Sequence, residues 1–444
     1  MLLTNALRLI PNIGPSSWPA IAFSGSGGKT TAMFALARQL PPPAIVTATT
    51  HLHIQQARLA DHHQIIVDSE SLLNLDSAPD GLLLVTGPLE GERLQGLDAV
   101  QVSRLYAYCQ KNNLPLLIEA DGSRQRPLKA PAAHEPVIPE FVALVIVVAG
   151  LSATGKPLSE AWVHRPEIFA QLSGLASGAT ISVEAMAKVL THPAGGLKGI
   201  PKDARRVAML NQADTPTLQV IARRLAEAAL PAFPSVVIAS LQQNHLYAVL
   251  EPTAGILLAA GEARRFGCPK QLLEWNGKPL VRHAAETALA AGLAPVVVVT
   301  GAYGEQVTAA LQGLPVQIVS NPDWQSGQST SIQAGLRALP SQTGAAVFLL
   351  ADQPGVTPEL LRSLMEHHSR ELNPILAPLV DGQRVNPVLF DRITFPDLLA
   401  LRGDVGGRAI FDKHRLAYLP WHDQRLTLDI DTSEDWQRLQ EIGP

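Results

Sequence analysis

Apolar runs that end at glycine or acidic residues, each followed by an Ala- and Leu-rich stretch, recur along the chain and predict strands that feed helices. From residue 254 the order is strand, loop, helix over 280–291, strand over 295–300, helix over 305–312 and strand over 316–320. That alternation builds a mostly parallel sheet with helices on both faces. The first half opens with a short helical pattern over 3–10 and Pro-rich irregular sequence. It continues with a strand from Ala20, a helix over 32–40, a strand from Ile45, buried strands from Leu114 and over 141–149, and an Arg- and Ala-rich helix over 217–229. Glu251-Pro252-Thr253 marks a boundary without a low-complexity linker, so two α/β domains are expected, 1–250 and 251–444, packed or closely tethered. Each is expected to be a three-layer α/β/α sandwich with a mostly parallel sheet.

A length of 444 residues supports this division, because single cores stop growing well before that size. The net charge of −4 gives no global attraction to nucleic acid or to an anionic membrane, so anion binding must come from local clusters. Two cysteines, Cys109 and Cys268, are too few for a disulfide framework, and a reducing cytoplasm is the expected location. The start of the chain lacks an export pattern, and the run over 141–149 is about half a membrane span, so it reads as a buried strand.

The densest chemistry lies over 255–280. The apolar run Ile256 to Ala260 ends at Gly261, a basic loop with Gly267 follows, and a helical pattern begins after Pro279. A loop of this kind at the carboxyl end of a strand is an anion cradle. Gly261 and Gly267 let backbone N–H groups approach a polyphosphate, while Arg264, Arg265 and Lys270 place three cations inside seven residues to offset its charge. An ordinary strand-to-helix turn with solvated basic residues is the plain alternative. The pattern L-A-A-G-x-x-x-R-F-G-x-x-K-x-L resembles the signature of molybdopterin-loading nucleotidyltransferases, above all the molybdenum cofactor cytidylyltransferase family. That resemblance implies a Rossmann-type domain of the nucleotide-diphospho-sugar transferase kind, with Ala259, Ala260, Gly261, Gly267 and Lys270 at the nucleotide. Ala260 stands where related guanylyltransferases carry a second Gly, which favours cytidine. Ala263 stands where the family often has Ser, removing one hydroxyl contact.

Further elements of the second half extend the resemblance. Gly327-Gln-Ser-Thr-Ser opens a helix, and a similar family element near the nucleotide makes Ser329, Thr330 and Ser331 candidate contacts, although N-capping accounts for one hydroxyl without a ligand. An apolar strand from Ala345 ends in Leu-Ala-Asp352-Gln-Pro, and likeness to the family's motif makes Asp352 the Mg²⁺ ligand; the alternative is a structural aspartate capping the helix from Thr357. Arg384, Asn386, Asp404 and Arg408 resemble acceptor-side positions, the arginines for the acceptor's phosphate and Asn386 and Asp404 for pterin or ribose. The stretch from Leu428 alternates in strand fashion, and the family's D-I-D-T-x-x-D implies Asp431 as a second metal ligand. Thr432 and Asp435 also read as a capping-box variant.

In the first half, G-S-G-G-K-T-T over 25–31 follows a strand and opens a helix. Gly25, Gly27 and Gly28 shape a phosphate-binding loop, Lys29 is positioned for the β- and γ-phosphates, Thr30 for Mg²⁺, and Thr31 completes the motif. The first glycine comes late, with Phe23 at its usual place, a tighter form that also resembles amide ligases of the cell-wall type. Thr49, Thr50 and His51 end the second strand facing the same crevice, and His51 reads equally as a capping or core histidine. Glu119 and Asp121 end the strand from Leu114, where P-loop proteins place the acid that holds Mg²⁺, and Arg124, Arg126 and Lys129 offer a second anion site; internally paired charges in a polar turn are the competing account. Asn211-Gln-Ala-Asp214 resembles the base-reading element of GTPases with Gln212 in place of lysine, and a plain helix cap by Asp214 explains it equally. Together with T-A-T-T-H, E-A-D-G-S-R-x-R-P-L-K-A-P, H-E-P and H-R-P-E, these motifs resemble the selenium-dependent hydroxylase accessory protein family over about the first 240 residues.

The resemblances imply an enzyme that transfers CMP from CTP to molybdopterin with Mg²⁺, through Arg265, Lys270, Asp352 and Asp431. Its first half would be an NTP-binding module serving a molybdenum hydroxylase of the xanthine dehydrogenase type. No nucleic-acid or membrane partner is expected. The rivals are a cytidylyl- or guanylyltransferase for another acceptor such as a sugar phosphate, and a nucleotide-gated cofactor-delivery chaperone.

Overall fold

The computed structural model describes residues 1–9, 18–68, 79–262, 269–430 and 432–442. The chain divides into two compact units, Met1–Leu250 and Glu251–Pro444.

The first unit is a nine-stranded sheet in the order His245–Leu250, Ser235–Ser240, Arg205–Asn211, Leu144–Gly150, Ala20–Gly25, Leu116–Glu119, Ala44–Ala48, Leu82–Thr86 and His62–Ile65. All its pairings are parallel except the outermost, Ser235–Ser240 with His245–Leu250. Its strands are apolar on both faces because both are covered: Ala20 and Ala22 enter one core, and Ile21 and Phe23, on the opposite face, are equally buried. The 141–149 run forms the strand Leu144–Gly150, buried throughout. The first helix after the glycine loop is Lys29–Ala37, so Lys29 and Thr30 form its first turn instead of preceding it. Cys109 is buried, which pushes its thiol up to about 12 and leaves it unreactive.

The second unit holds an eight-stranded sheet. Its path runs Gln317–Ser320, Val296–Thr300, Thr253–Ala259, Ala345–Leu350, Val388–Asp391, Ile375–Val380 and Gln383–Arg384, with Leu416–Pro420 beside Ile375–Val380. The half that carries the loop is parallel; Val388–Asp391 and Gln383–Arg384 enter antiparallel. Alternate residues of Thr253–Ala259 feed two cores, Leu257 and Ala259 one, Ala254 and Ile256 the other. The sheet is thus the middle of three layers, as the alternation of elements predicts. The stretch from Leu428 is not a strand; it follows the short turn Gln424–Thr427, and the Ile430 N–H donates to the Asp352 carbonyl oxygen at 3.3 Å. Among the described residues, no helix is long and apolar enough to cross a membrane.

Candidate active sites on two sheets

In each unit the strand order reverses at the strand that precedes the glycine loop. From Thr253–Ala259 the chain moves outward through Val296–Thr300 to Gln317–Ser320, then returns to Ala345–Leu350 on the other flank. A crevice opens at the carboxyl ends of strands that diverge in this way. In the second unit that crevice is a cleft of about 650 Å³ lined by Ala259, Ala260, Gly261, Lys270, Gln328, Ser331, Asp352 and Asp404, among others. The Lys270 ammonium stands 3.6 Å from Asp352 Oδ2, with the two side chains 15% and 30% exposed. Two motifs 82 residues apart in sequence thus meet across the switch point. Buried Gln271 donates to the Gly261 carbonyl at 3.3 Å and ties the far end of the loop to its start.

Thr357, not Asp352, caps the helix Pro358–Glu371, accepting from the Leu360 N–H at 3.3 Å, and Asp352 lines the cleft. Gln353, which the sequence reading passed over although it follows Asp352 directly, is buried and donates to Asp429 Oδ1 at 2.6 Å, anchoring the segment that leads towards Asp431. Asp431 itself, with Arg264, Arg265 and Gly267, lies outside the described residues.

The hydroxyls at the start of Gln328–Arg337 are engaged internally. Ser329 Oγ donates to the Gly403 carbonyl at 2.7 Å, Thr330 Oγ1 to the Gly327 carbonyl at 2.9 Å, and Ser331 Oγ accepts from Asn321 at 3.0 Å. None of them caps the helix. The N-cap is Gly327, and Asp404 Oδ1 accepts from the Gln328 N–H at 3.1 Å. Asp404, expected on the acceptor side, therefore lies in the cleft wall at this helix start. Gly327, at φ +109°, permits the approach, since a Cβ there would meet Asp404 Cα at 2.5 Å. Arg384 lies over the Phe411 ring at 4.6 Å, and Arg408 is exposed on the turn Gly407–Lys413; neither these nor Asn386 lines the cleft.

The first unit's cleft is about 700 Å³, lined by Gly27, Gly28, Lys29, Thr30, Thr31, Thr50, His51, Glu119 and several basic residues. Here the loop lysine is buried. Lys29 Nζ donates to the Gly25 carbonyl at 2.7 Å and lies 3.2 Å from Asp121 Oδ1 and 3.8 Å from Glu119 Oε1. Lys29 does not hydrogen-bond Asp121 Oδ1, so that buried oxygen is held by charge alone. The other Asp121 oxygen receives Lys129 at 2.8 Å and the Gly25 N–H at 3.1 Å. Expected beside Thr30 as a metal ligand, Asp121 is instead gripped by two lysines. Glu119 is the acid at Thr30, accepting its Oγ1–H at 2.8 Å. Burial raises the Glu119 carboxyl above its ordinary value, against the pull of Lys29 and of the Thr30 hydrogen bond.

Lys129 does not offer an anion site. It is buried between Asp121 and Glu135, which Arg165 grips from the other side at 2.7 Å. Burial opposes the charge on Glu135, but the hydrogen bonds from Arg165 and Lys129 outweigh it and hold the carboxyl down to about 2. Burial, with the nearby charges of Arg165 and Lys129, lowers His164 to about 4, which keeps that imidazole neutral near neutrality. The base-reading motif is structural: Asn211 Nδ2 donates to the Gly27 carbonyl at 2.7 Å, Asp214 accepts from Ser240, and Gln212 accepts from Ser152 at 2.6 Å. Gly28, at φ +123°, leaves room for the Asn211 amide, which a Cβ would meet at 2.3 Å. Among the described residues no group of three or more His, Cys, Asp or Glu forms a ready-made metal cage.

Residues 255–418 match the family described as MobA-like NTP transferase domain, and residues 21–167 match the family described as YqeC protein. The uncharacterized protein YqeC of Escherichia coli is 31% identical over 211 residues, 46% of this chain and 80% of that protein. Nicotine blue oxidoreductase of Paenarthrobacter nicotinovorans is 35% identical over 199 residues, 42% of this chain and 95% of that protein. A Mycobacterium tuberculosis protein solved in complex with manganese is 26% identical, covers 43% of this chain and 98% of that one, and superposes with a TM-score of 0.38. The two family matches and the two curated relatives agree with both motif resemblances: the chain belongs to the YqeC family through its first unit and to the MobA-like NTP transferase family through its second, and it is a nucleotidyltransferase.

Proposed function

We propose that the second unit transfers CMP from CTP to the terminal phosphate of molybdopterin, releasing pyrophosphate. The observation that carries the reading is the meeting of Lys270 and Asp352, 3.6 Å apart, in a cleft that Ala259, Ala260 and Gly261 also line. An oxygen of the acceptor phosphate attacks the α-phosphorus, a P–O bond forms, and the bond to pyrophosphate breaks. The protein needs no nucleophile for this step; it needs in-line placement and charge to meet the charge that develops. Lys270, with Arg265, supplies positive charge at the triphosphate, and the backbone at Gly261 admits the phosphates closely.

Mg²⁺ fits the donors present. It is bound through one or two carboxylates plus substrate phosphates, not by a full protein cage, and Asp352 offers a hard oxygen at the cleft with its side chain 30% exposed. Asp352 and Asp431 would hold it, and it would neutralise phosphate charge. Arg384, Asn386 and Arg408 remain acceptor candidates only if the acceptor reaches beyond the cleft, while Asp404 lines the cleft at the start of Gln328–Arg337. For the first unit the same reading places an NTP on Gly25, Gly27, Gly28, Lys29, Thr30 and Thr31, with Thr30 and Glu119 towards Mg²⁺. That unit would serve the maturation of a molybdenum hydroxylase of the xanthine dehydrogenase type in the cytoplasm.

The decisive experiment gives purified chain the four NTPs with and without molybdopterin and weighs the product. Pyrophosphate and a cytosine dinucleotide are expected only with CTP and molybdopterin together. Turnover with a sugar phosphate, and none with molybdopterin, would overturn the assignment.

A further inference from the structure

The first unit's cleft carries arginines beyond the cations that its own acids neutralise. Lys29, Lys129 and Arg165 are each matched by Glu119, Asp121 or Glu135. Arg93, Arg124 and Arg126 line the same cleft, are exposed, and among the described residues have no ion-pair or hydrogen-bond partner for their side chains. They come from two separate segments, the short strand Arg93–Leu94 and the turn after Asp121.

That turn is held in an unfavourable conformation. Arg124 and Gln125 have φ of +47° and +58°, and two more residues lining this cleft, Arg165 and Gln212, have φ of +64° and +67°. Left-handed backbone at successive non-glycine residues is costly and concentrates where side chains must be presented to a ligand. Helix C-caps account for others of the kind, such as Asn113 and Leu372, but not for Arg124 and Gln125. Guanidinium forks suit the several oxygens of a phosphate dianion better than a lone carboxylate.

We propose that this cleft is a two-ligand site: beside a nucleoside triphosphate on Lys29 and Thr30, it takes a second small molecule bearing a phosphomonoester, gripped by Arg93, Arg124 and Arg126. The inference rests on the reading of the glycine loop as an NTP site. Titration calorimetry on full-length chain carrying K270A, which weakens the second unit's nucleotide site, tests it with inorganic phosphate as probe and with AMPPNP and GMPPNP as triphosphate analogues. Phosphate should bind while an analogue is saturating. The exposed pair R124A/R126A should weaken phosphate by about tenfold or more while changing analogue affinity by less than about threefold. R124K/R126K, which keeps charge but loses the fork, should fall between, and K29A should show the reverse pattern. Phosphate that is displaced by the analogue, that binds R124A/R126A undiminished, or whose loss is matched by equal loss of analogue would overturn the second site. If neither analogue binds the parent chain, the NTP reading fails first and the inference falls with it.

Discussion

The two units place a loop lysine at a sheet switch point in opposite surroundings. In the first, Lys29 is 2% exposed in its side chain and lies among two carboxylates and a backbone carbonyl. In the second, Lys270 is 15% exposed and faces the Asp352 carboxylate, which also lines the cleft. A buried charge depends on its partners, because the desolvation cost of each is offset only by the other. Lys29 is therefore a structural member of its loop, whereas Lys270 stands in a cleft beside an accessible acid. The acids differ in the same sense: Glu119 is buried and pushed towards its neutral form, while Asp352 is accessible.

The contrast can be broken most directly by activity. Lys270→Ala and Asp352→Ala should each lower kcat/KM for pyrophosphate release by about 10²–10³-fold, measured by a coupled phosphate assay; a change of only severalfold in either would detach the cleft from the chemistry. Stability should rank the lysines the other way. Lys29→Ala removes the cation nearest the buried Glu119, while Asp121 keeps Lys129, and should cost about 3–5 kcal/mol in denaturant unfolding of the first unit, against about 1 kcal/mol or less for Lys270→Ala. Equal losses would mean that burial does not distinguish them.

A smaller effect sharpens the second cleft. Gly327→Ala would drive a Cβ into Asp404 and strain a backbone at φ +109°. It should cost about 1–3 kcal/mol and raise the KM for the nucleotide more than it lowers kcat. The acid response of the first unit is confined to a narrow range of pH. The carboxyl of Glu135 lies at about 2 in the fold against 4.5 without its partners. Its contribution is therefore complete above pH about 4.5 and is lost as pH falls towards 2. Glu135→Gln should flatten that part of the stability profile in acid titration by circular dichroism, leaving the second unit's transition where it was.

Much of the fold could be read in the chain because both sheets are buried on two faces. Such strands appear as unbroken apolar runs, Leu144–Gly150 and Ala345–Leu350 among them, and each ends where the polar chemistry begins. Gly261, Lys270 and Asp352 were legible for that reason. Hydroxyl roles were not. Ser329, Thr330 and Ser331 look alike in sequence, yet their partners are Gly403, Gly327 and Asn321. Nor does the spacing of Glu119 and Asp121 say which acid faces Thr30 and which is claimed by Lys29 and Lys129.

From the order of its residues alone, this chain determines two α/β units, the place of a glycine loop at the head of each, and the acid that ends a neighbouring strand. These follow from local periodicity, since a strand's burial and its terminus are written within a few consecutive positions. Tertiary structure alone decided that Lys129 is buried and spent, that Asp404 joins the start of the helix Gln328–Arg337, and that Arg93 shares a cleft with Arg124. Those outcomes depend on contacts between residues tens of positions apart, which no local pattern encodes.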